Sequence, residues 1–84
     1  MYGEPRRIRD LAVRLEARSD DLRREADRLV AEADAARWTS LAADRMRDSA
    51  ARLAGSLGEV AGRYDDAARL VRSHAAEVER RGSR

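Results

Sequence analysis

The side chains that most often perform catalysis or bind metals are scarce in this chain of 84 residues. It has one histidine, His74, and no cysteine. A hydrolytic nucleophile needs a base beside it, but Ser73 and His74 are adjacent in sequence, and adjacent side chains of a helix point apart. A metal site would need more ligands converging on His74 than Glu77 and Glu79 supply. We therefore predict that the protein is not an enzyme and has no catalytic residue, no cofactor and no metal ligand.

Charged residues are abundant, but they alternate in sign along the whole chain. The chain has 18 basic residues, all of them Arg, and 16 acidic residues, which gives a net charge of +2. At six places an acidic residue precedes an Arg by four positions, the order that supports a helix. These pairs are Asp10–Arg14, Asp20–Arg24, Asp48–Arg52, Glu59–Arg63, Asp65–Arg69 and Glu77–Arg81. Together with the absence of a Gly-rich phosphate loop, they indicate solvated helix surfaces rather than a substrate site.

Basic residues also gather near both ends of the chain. They are Arg6, Arg7, Arg9, Arg80, Arg81 and Arg84. An antiparallel hairpin would bring both groups to one end, where they form either a solvated helix end that suits the helix dipole or a contact for phosphate groups. Nucleic acid is the less favoured partner because acidic residues flank both groups.

The hydrophobic pattern predicts an all-α antiparallel hairpin, with helices at about 5–36 and 41–80 and a bend at 37–40. In the first segment, apolar residues recur every seven positions, and the polar pair Arg18–Ser19 weakens the stripe. That stripe consists of Ile8, Leu15, Leu22, Leu29 and Ala36. We expect one domain spanning 1–84, with flexible ends at 1–4 and 81–84.

The second segment has a more regular apolar seam, with spacings that alternate between four and three residues. Its members are Met46, Ala50, Leu53, Leu57, Val60, Tyr64, Ala67, Val71, His74 and Val78. Such a seam is typical of helices that pack along their length. Further apolar residues beside it make the surface wider than one neighbouring helix covers. We therefore predict that two hairpins pair into a four-helix bundle.

Two features of the second segment have alternative interpretations. Pairing the helices about residue 38 sets Ile8 near Arg69, so the tail that contains Val71, His74, Ala75 and Val78 would extend past the first helix. That tail is either a frayed end or an apolar docking strip for a partner. Gly55, Gly58 and Gly62 lie on one face, either as a groove for a close partner backbone or as a softened part of the helix.

The bend and its flanks resemble the Trp-Xaa-Gly (WXG) family, the small Esx-type proteins of type VII (ESX) secretion in actinobacteria. The resemblance covers nearly the whole chain: a helix of about thirty residues, then Trp38-Thr39-Ser40, then Leu41-Ala42-Ala43-Asp44-Arg45-Met46-Arg47. The late stretch 67–78 is also similar to actinobacterial members. Independently of the family, a large indole at a bend closes the end of a helical core or contacts a partner.

The resemblance implies a type VII secretion substrate, or the partner of one, that forms a homodimer or a heterodimer with a paralogous hairpin. Secretion machinery or a larger secreted effector would be further partners, with no small-molecule substrate. Two positions depart from the family pattern: Ser40 replaces the glycine, and Tyr64 is followed four residues later by Ala68 instead of the acid of the export signal. The chain would then be the partner that lacks its own signal.

For localisation, we expect a cytoplasmic protein before any type VII export, because no apolar run is long enough to span a membrane and no Sec-type leader is apparent. The alternative function is a cytoplasmic coiled-coil adaptor or regulator whose basic end contacts nucleic acid.

Overall fold

A computed structural model describes residues 3–35 and 41–82 of the chain. Within these ranges the structure consists of two α-helices, α1 (Gly3–Ala35) and α2 (Leu41–Gly82), which pack side by side. The predicted all-α hairpin is confirmed, and each helix extends two residues further towards its chain terminus than the pattern indicated. The bend motif of Trp38, Thr39 and Ser40, together with Ala36, lies outside the described residues.

Local sequence favours both helices. Alanine, leucine and arginine have high helix propensity, and Glu4 and Asp44 lie in the first turns, where the helix dipole favours negative charge. Arg80 and Arg81 occupy the last turn of α2, where positive charge is favoured. No described residue has a positive φ angle, so neither helix contains a backbone interruption.

Surface ion pairs along each helix mostly join residues three apart rather than the predicted four. These pairs are Asp21–Arg24, Glu25–Arg28, Asp44–Arg47, Asp66–Arg69 and Glu77–Arg80. Of the six predicted pairs, Glu77–Arg81 is present, with 3.4 Å between Arg81 Nε and a Glu77 carboxylate oxygen. Because these side chains are exposed, the pairs add little to the free energy of unfolding.

The buried contact between the helices is made by small side chains at every seventh position, which we call the inner row. On α1 the inner row is Ala12, Ser19, Ala26 and Ala33, and on α2 it includes Ala61, Ala68 and Ala75. The prediction that Ser19 weakens the stripe is wrong, because Ser19 is fully buried among alanines. Small residues at this repeat let two helix axes approach closely.

Three ion pairs between the helices define their register. They join Arg9 to Glu79, Glu16 to Arg72, and Arg23 to Asp65, so each step of seven residues along α1 is matched by seven residues back along α2. This register confirms the antiparallel direction but contradicts the predicted alignment of Ile8 with Arg69. Pairing about residue 38 would have set Asp65 opposite Ala12, and a carboxylate cannot replace alanine in a close-packed row without a large desolvation cost.

The corrected register also changes which end of α2 extends past the described residues of α1. The predicted overhang at its end is wrong: Ala75 is fully buried against α1, while Val71 and Val78 are half-buried. Instead, the last residues of α1 lie level with the region of Arg52, so the first turns of α2 from Leu41 onward extend beyond Ala35. The resulting molecule is a thin rod with extents of 67 × 14 × 9 Å.

Candidate interaction surface

One edge of the hairpin is polar and is defined by the three ion pairs between the helices, so we call it the ion-pair edge. Arg9 Nη2 lies 2.7 Å from Glu79 Oε1, and Arg23 Nη2 lies 2.9 Å from Asp65 Oδ2. Arg72 pairs with Glu16 between them. Along α1 the charges of these side chains alternate from positive to negative to positive, and the side chains opposite them on α2 are negative, positive and negative. Every charge in the series therefore has a partner of opposite sign across the interface.

Ser19 connects the buried inner row to this edge. The Arg23 guanidinium donates a hydrogen bond to the Ser19 hydroxyl oxygen, and the hydroxyl also hydrogen-bonds the Asp65 side chain. These hydrogen bonds from Ser19 and Arg23, with the positive charge of Arg23, lower the pKa of Asp65 below its ordinary value. No buried side-chain nitrogen or oxygen in the described part of the chain lacks a hydrogen-bond partner.

The opposite side of the hairpin is apolar, and we call it the apolar face. On both helices, residues three positions before the inner row carry the ion pairs, and residues four positions before it carry large apolar side chains. Residues three and four positions before a given residue lie on opposite sides of it around the helix. Because the two helices are antiparallel, equivalent positions of both helices lie on the same side of the hairpin, so their large apolar side chains share one side. These half-buried residues are Ile8, Leu15, Leu22, Leu29, Leu57, Tyr64, Val71 and Val78.

A further series of side chains, one position before the inner row, borders the apolar face, and we call it the margin row. On α1 it consists of Leu11, Arg18, Glu25 and Glu32, and on α2 of Met46, Leu53, Val60, Ala67 and His74. Leu53 is 51% exposed and Leu11 is 42% exposed. The margin row is thus mainly charged on α1 and mainly apolar on α2.

The apolar seam predicted for α2 is divided between these two series. Its members Ala50, Leu57, Tyr64, Val71 and Val78 are half-buried on the apolar face, whereas Met46, Leu53 and Val60 are exposed in the margin row. Neither series forms the buried centre, because the alanines that the pattern placed beside the seam occupy it. The α1 residues Leu15, Leu22 and Leu29 lie on the same face as the half-buried part of the seam.

The hairpin leaves its large apolar side chains incompletely covered. Among the described residues, the largest fully buried side chain is that of Ser19, and every buried hydrophobic residue is an alanine. The accessible surface is 6640 Å², compared with about 5,000 Å² for a compact monomer of this mass. The difference, about 1,600 Å², is roughly twice what one partner contributes to a standard protein–protein interface.

The candidate catalytic and metal-binding groups do not come together. His74 is exposed, and its neighbour Glu77 is engaged by Arg80 and Arg81. The hydrogen bond and charge of Arg80, with smaller contributions from Arg81 and His74, lower the pKa of Glu77. No cluster of three or more potential metal ligands occurs within residues 3–35 and 41–82. A shallow depression on the ion-pair edge is lined by Glu16, Asp65, Ala68, Arg69 and Arg72, whose charges pair with one another or with neighbouring side chains.

The basic residues near the chain ends do lie at one end of the hairpin, as the antiparallel direction requires. Their charges are partly neutralised there. Arg9 pairs with Glu79, while Arg80 and Arg81 share Glu77. Arg6 and Arg7 are exposed, and Arg84 is outside the described ranges.

The ion-pair edge was not predicted from the sequence. Its signal was present as charged residues repeating every seven positions with alternating sign, in Arg9, Glu16 and Arg23 and again in Asp65, Arg72 and Glu79. Pairs four residues apart within one helix do not reveal this longer repeat, because its partners lie on the other helix. Ser19 was missed because a hydroxyl was counted as polar, although its volume suits a series of alanines.

Neither described helix contains a stretch long and apolar enough to cross a membrane. No protein-family model, curated protein or solved structure matches this chain.

Proposed function

We propose that this protein is a non-catalytic helical hairpin that pairs with a second hairpin through its apolar face to make a four-helix bundle. The observation that supports the proposal is the incomplete burial of Leu15, Leu22, Leu57 and their neighbours, since among the described residues only alanine and serine are fully enclosed. Because the ion-pair edge is already neutralised, the apolar face is the side on which docking would remove the most apolar surface from water.

We further propose that the biological role is that of an Esx-type protein, either a substrate of a type VII secretion system or the partner of one. This part rests on the resemblance carried by Trp38-Thr39-Ser40 and the flanking helices, and the hairpin architecture is compatible with it. Tyr64 is followed four residues later by Ala68 instead of the acid of an export signal, which favours the role of the unsignalled partner. A test is to compare the protein in culture medium of its host with and without the system's ATPase motor.

The adaptor that contacts nucleic acid through a basic end has less support. Three of the arginines at that end, Arg9, Arg80 and Arg81, are paired with acidic side chains. The double variant Arg80→Glu/Arg81→Glu would abolish salt-sensitive DNA binding if that function were correct.

Pairing is tested by sedimentation at micromolar concentration. We expect the variant Leu57→Asp to abolish assembly, because it places a carboxylate on the apolar face. Ser73→Asp adds the same group on the outward side of α2 and should leave assembly unchanged, as should Arg28→Glu on the exposed side of α1. A monomer that melts cooperatively by itself, or equal effects of the three variants, would contradict the proposal.

A further inference from the structure

The series that form the contact between α1 and α2 keep one heptad phase across the bend. Leu29 is the last large side chain of the apolar face on α1 and Leu57 is the first on α2, and they are four complete heptads apart. The same interval separates Ala33 from Ala61 in the inner row. On the ion-pair edge, the last charge on α1 and the first on α2 are six heptads apart. Helices joined by a bend need no common phase, whereas a helix that continues without a break does.

The sequence between the two helices continues the apolar face. Ala36, Ala43 and Ala50 occupy the intervening heptad positions, and no glycine or proline occurs between Pro5 and Gly55. Glycine and proline are the residues that most strongly oppose a helix. The local sequence is therefore compatible with a single helix of about 80 residues that joins α1 to α2.

We infer that two copies of this chain exchange helices, so that α1 of each copy packs against α2 of the other and each chain runs as one helix through the bend. The interface itself selects the partner, because a second copy reproduces the inner row and all three ion pairs with the same residues opposite one another. Exchange of identical elements is a low-cost route to a dimer for that reason. It does not depend on the proposed pairing of hairpins, since the apolar face extends intact along the exchanged dimer.

The ion pairs fix the two-fold axis of this dimer. Each pair joins residues equally far from position 44, as Arg9 and Glu79 do. The axis therefore crosses both chains close to this position, near the start of α2. On the apolar face, Ala43 then meets Ala43 of the second copy, and Ala36 meets its Ala50. A common phase is required here, because a straight second helix can contact α1 and α2 together only if both present the same side.

The exchange also covers the part of α2 that extends past α1. In the hairpin the first turns of α2, from Leu41 onward, continue beyond Ala35 and have no described residue of α1 opposite them. In the dimer these turns lie against the same turns of the second copy across the two-fold axis. The contact between the helices then runs without a gap along the whole rod.

The charges near the axis are compatible with this contact. Asp44 lies beside Asp44 of the second copy, and Arg47 occupies the inner-row position one heptad before Ala54. Within each helix these two side chains form an ion pair, with 3.2 Å between Arg47 Nη1 and Asp44 Oδ1. Each copy therefore brings a neutral pair to the axis.

A disulfide between facing residues of the inner row distinguishes the two forms, because the chain has no native cysteine. The double variant Ala26→Cys/Ala61→Cys links α1 to α2 within one chain in the hairpin and between two chains in the exchanged dimer. The reduced protein is refolded at a series of concentrations and then oxidised mildly. We expect a linked dimer whose share rises with protein concentration, whereas a pair of whole hairpins gives linked monomers.

Proline at position 41 supplies a variant that suits one form and not the other. Leu41 is the first residue of α2 and is 67% exposed, so Leu41→Pro fits the hairpin, where the first helical position needs no N–H donor. Inside a continuous helix the same proline removes a hydrogen bond and collides with the preceding turn. In the double-cysteine background, Leu41→Pro should lower the share of linked dimer about a hundredfold. Leu41→Ala, the matched control, should leave that share unchanged.

The length of the particle gives an independent measurement on the protein without cysteines. Small-angle X-ray scattering should show a maximum dimension of about 120 Å for the exchanged dimer, because each helical residue rises about 1.5 Å, compared with 67 Å for the hairpin. A maximum dimension near that of the hairpin at every concentration, linked monomers alone, or equal dimer shares for Leu41→Pro and Leu41→Ala would overturn helix exchange. Sedimentation of Leu41→Pro tests the pairing of hairpins separately, since this variant retains the apolar face but does not exchange helices.

Discussion

The three glycines inside α2 should be replaceable by alanine with a gain in stability. A Cβ atom added at Gly55, Gly58 or Gly62 meets no atom within 4 Å, so the substitution creates no clash within the hairpin. Glycine costs about 1 kcal/mol relative to alanine inside a helix. The triple variant should therefore gain about 2–3 kcal/mol in the free energy of unfolding, and each substitution should raise the melting temperature by about 4–8 °C.

The assay is thermal unfolding followed by circular dichroism at a fixed protein concentration, because association also raises the melting temperature. Ala51→Gly, at an exposed position one turn before Gly55, is the matched reverse change and should lower stability by about 1 kcal/mol. If the triple variant melts below the parent protein, a partner backbone must approach these glycines in the assembled protein. That result would refute the interpretation of this segment as a softened helix.

Three other outcomes are expected. Ala68→Leu should destabilise the hairpin by about 1–3 kcal/mol in denaturant unfolding, because Ala68 is fully enclosed between the helices. Leu70→Ala, at a residue 73% exposed, should change stability by less than about 0.5 kcal/mol. Equal costs of the two substitutions would mean that the inner row is misplaced. Ser19→Ala should lower the free energy of unfolding by about 1 kcal/mol in the same measurement, since it removes hydrogen bonds without changing the packing volume appreciably. A gain in stability would show that these hydrogen bonds are not formed. Folding lowers the pKa of Asp65, so the contribution of this carboxylate to the free energy of unfolding is present above its ordinary pKa and is lost as the pH falls through its folded-state pKa. Asp65→Asn should therefore flatten the acid limb of a plot of melting temperature against pH. An unchanged limb would count against the contact of Asp65 with Ser19 and Arg23.

The hairpin could be predicted because helix propensity and heptad spacing are local properties of each segment. The side of each helix that becomes buried could not be predicted in the same way. Large apolar residues such as Leu53 and Leu57 dominate a hydrophobic pattern, whereas close contact in this pair depends on small residues such as Ala61 and Ser19. Pairing the helices about residue 38 also predicted the wrong register, because the register depends on which residues of α1 meet which residues of α2 rather than on the position of the bend.

The location of the apolar face illustrates the same limit. The excess of hydrophobic surface was evident from composition and periodicity, and it led to the proposal of a partner. The division of that surface into a half-covered face and an exposed margin follows only from the three-dimensional register, since the same side chains would be distributed differently if Ile8 had been aligned with Arg69.

The alternation of sign along the ion-pair edge has a consequence for folding accuracy. A nearly uniform series of alanines would tolerate a slip of two helical turns, which moves one helix by about 10.5 Å and again sets small residues opposite small residues. After a slip in one direction, Arg9 would face Arg72 and Glu16 would face Asp65. After a slip in the other direction, Glu16 would face Glu79. The misaligned hairpin would have like charges along its edge, so surface electrostatics selects a single alignment where the shape of the core does not.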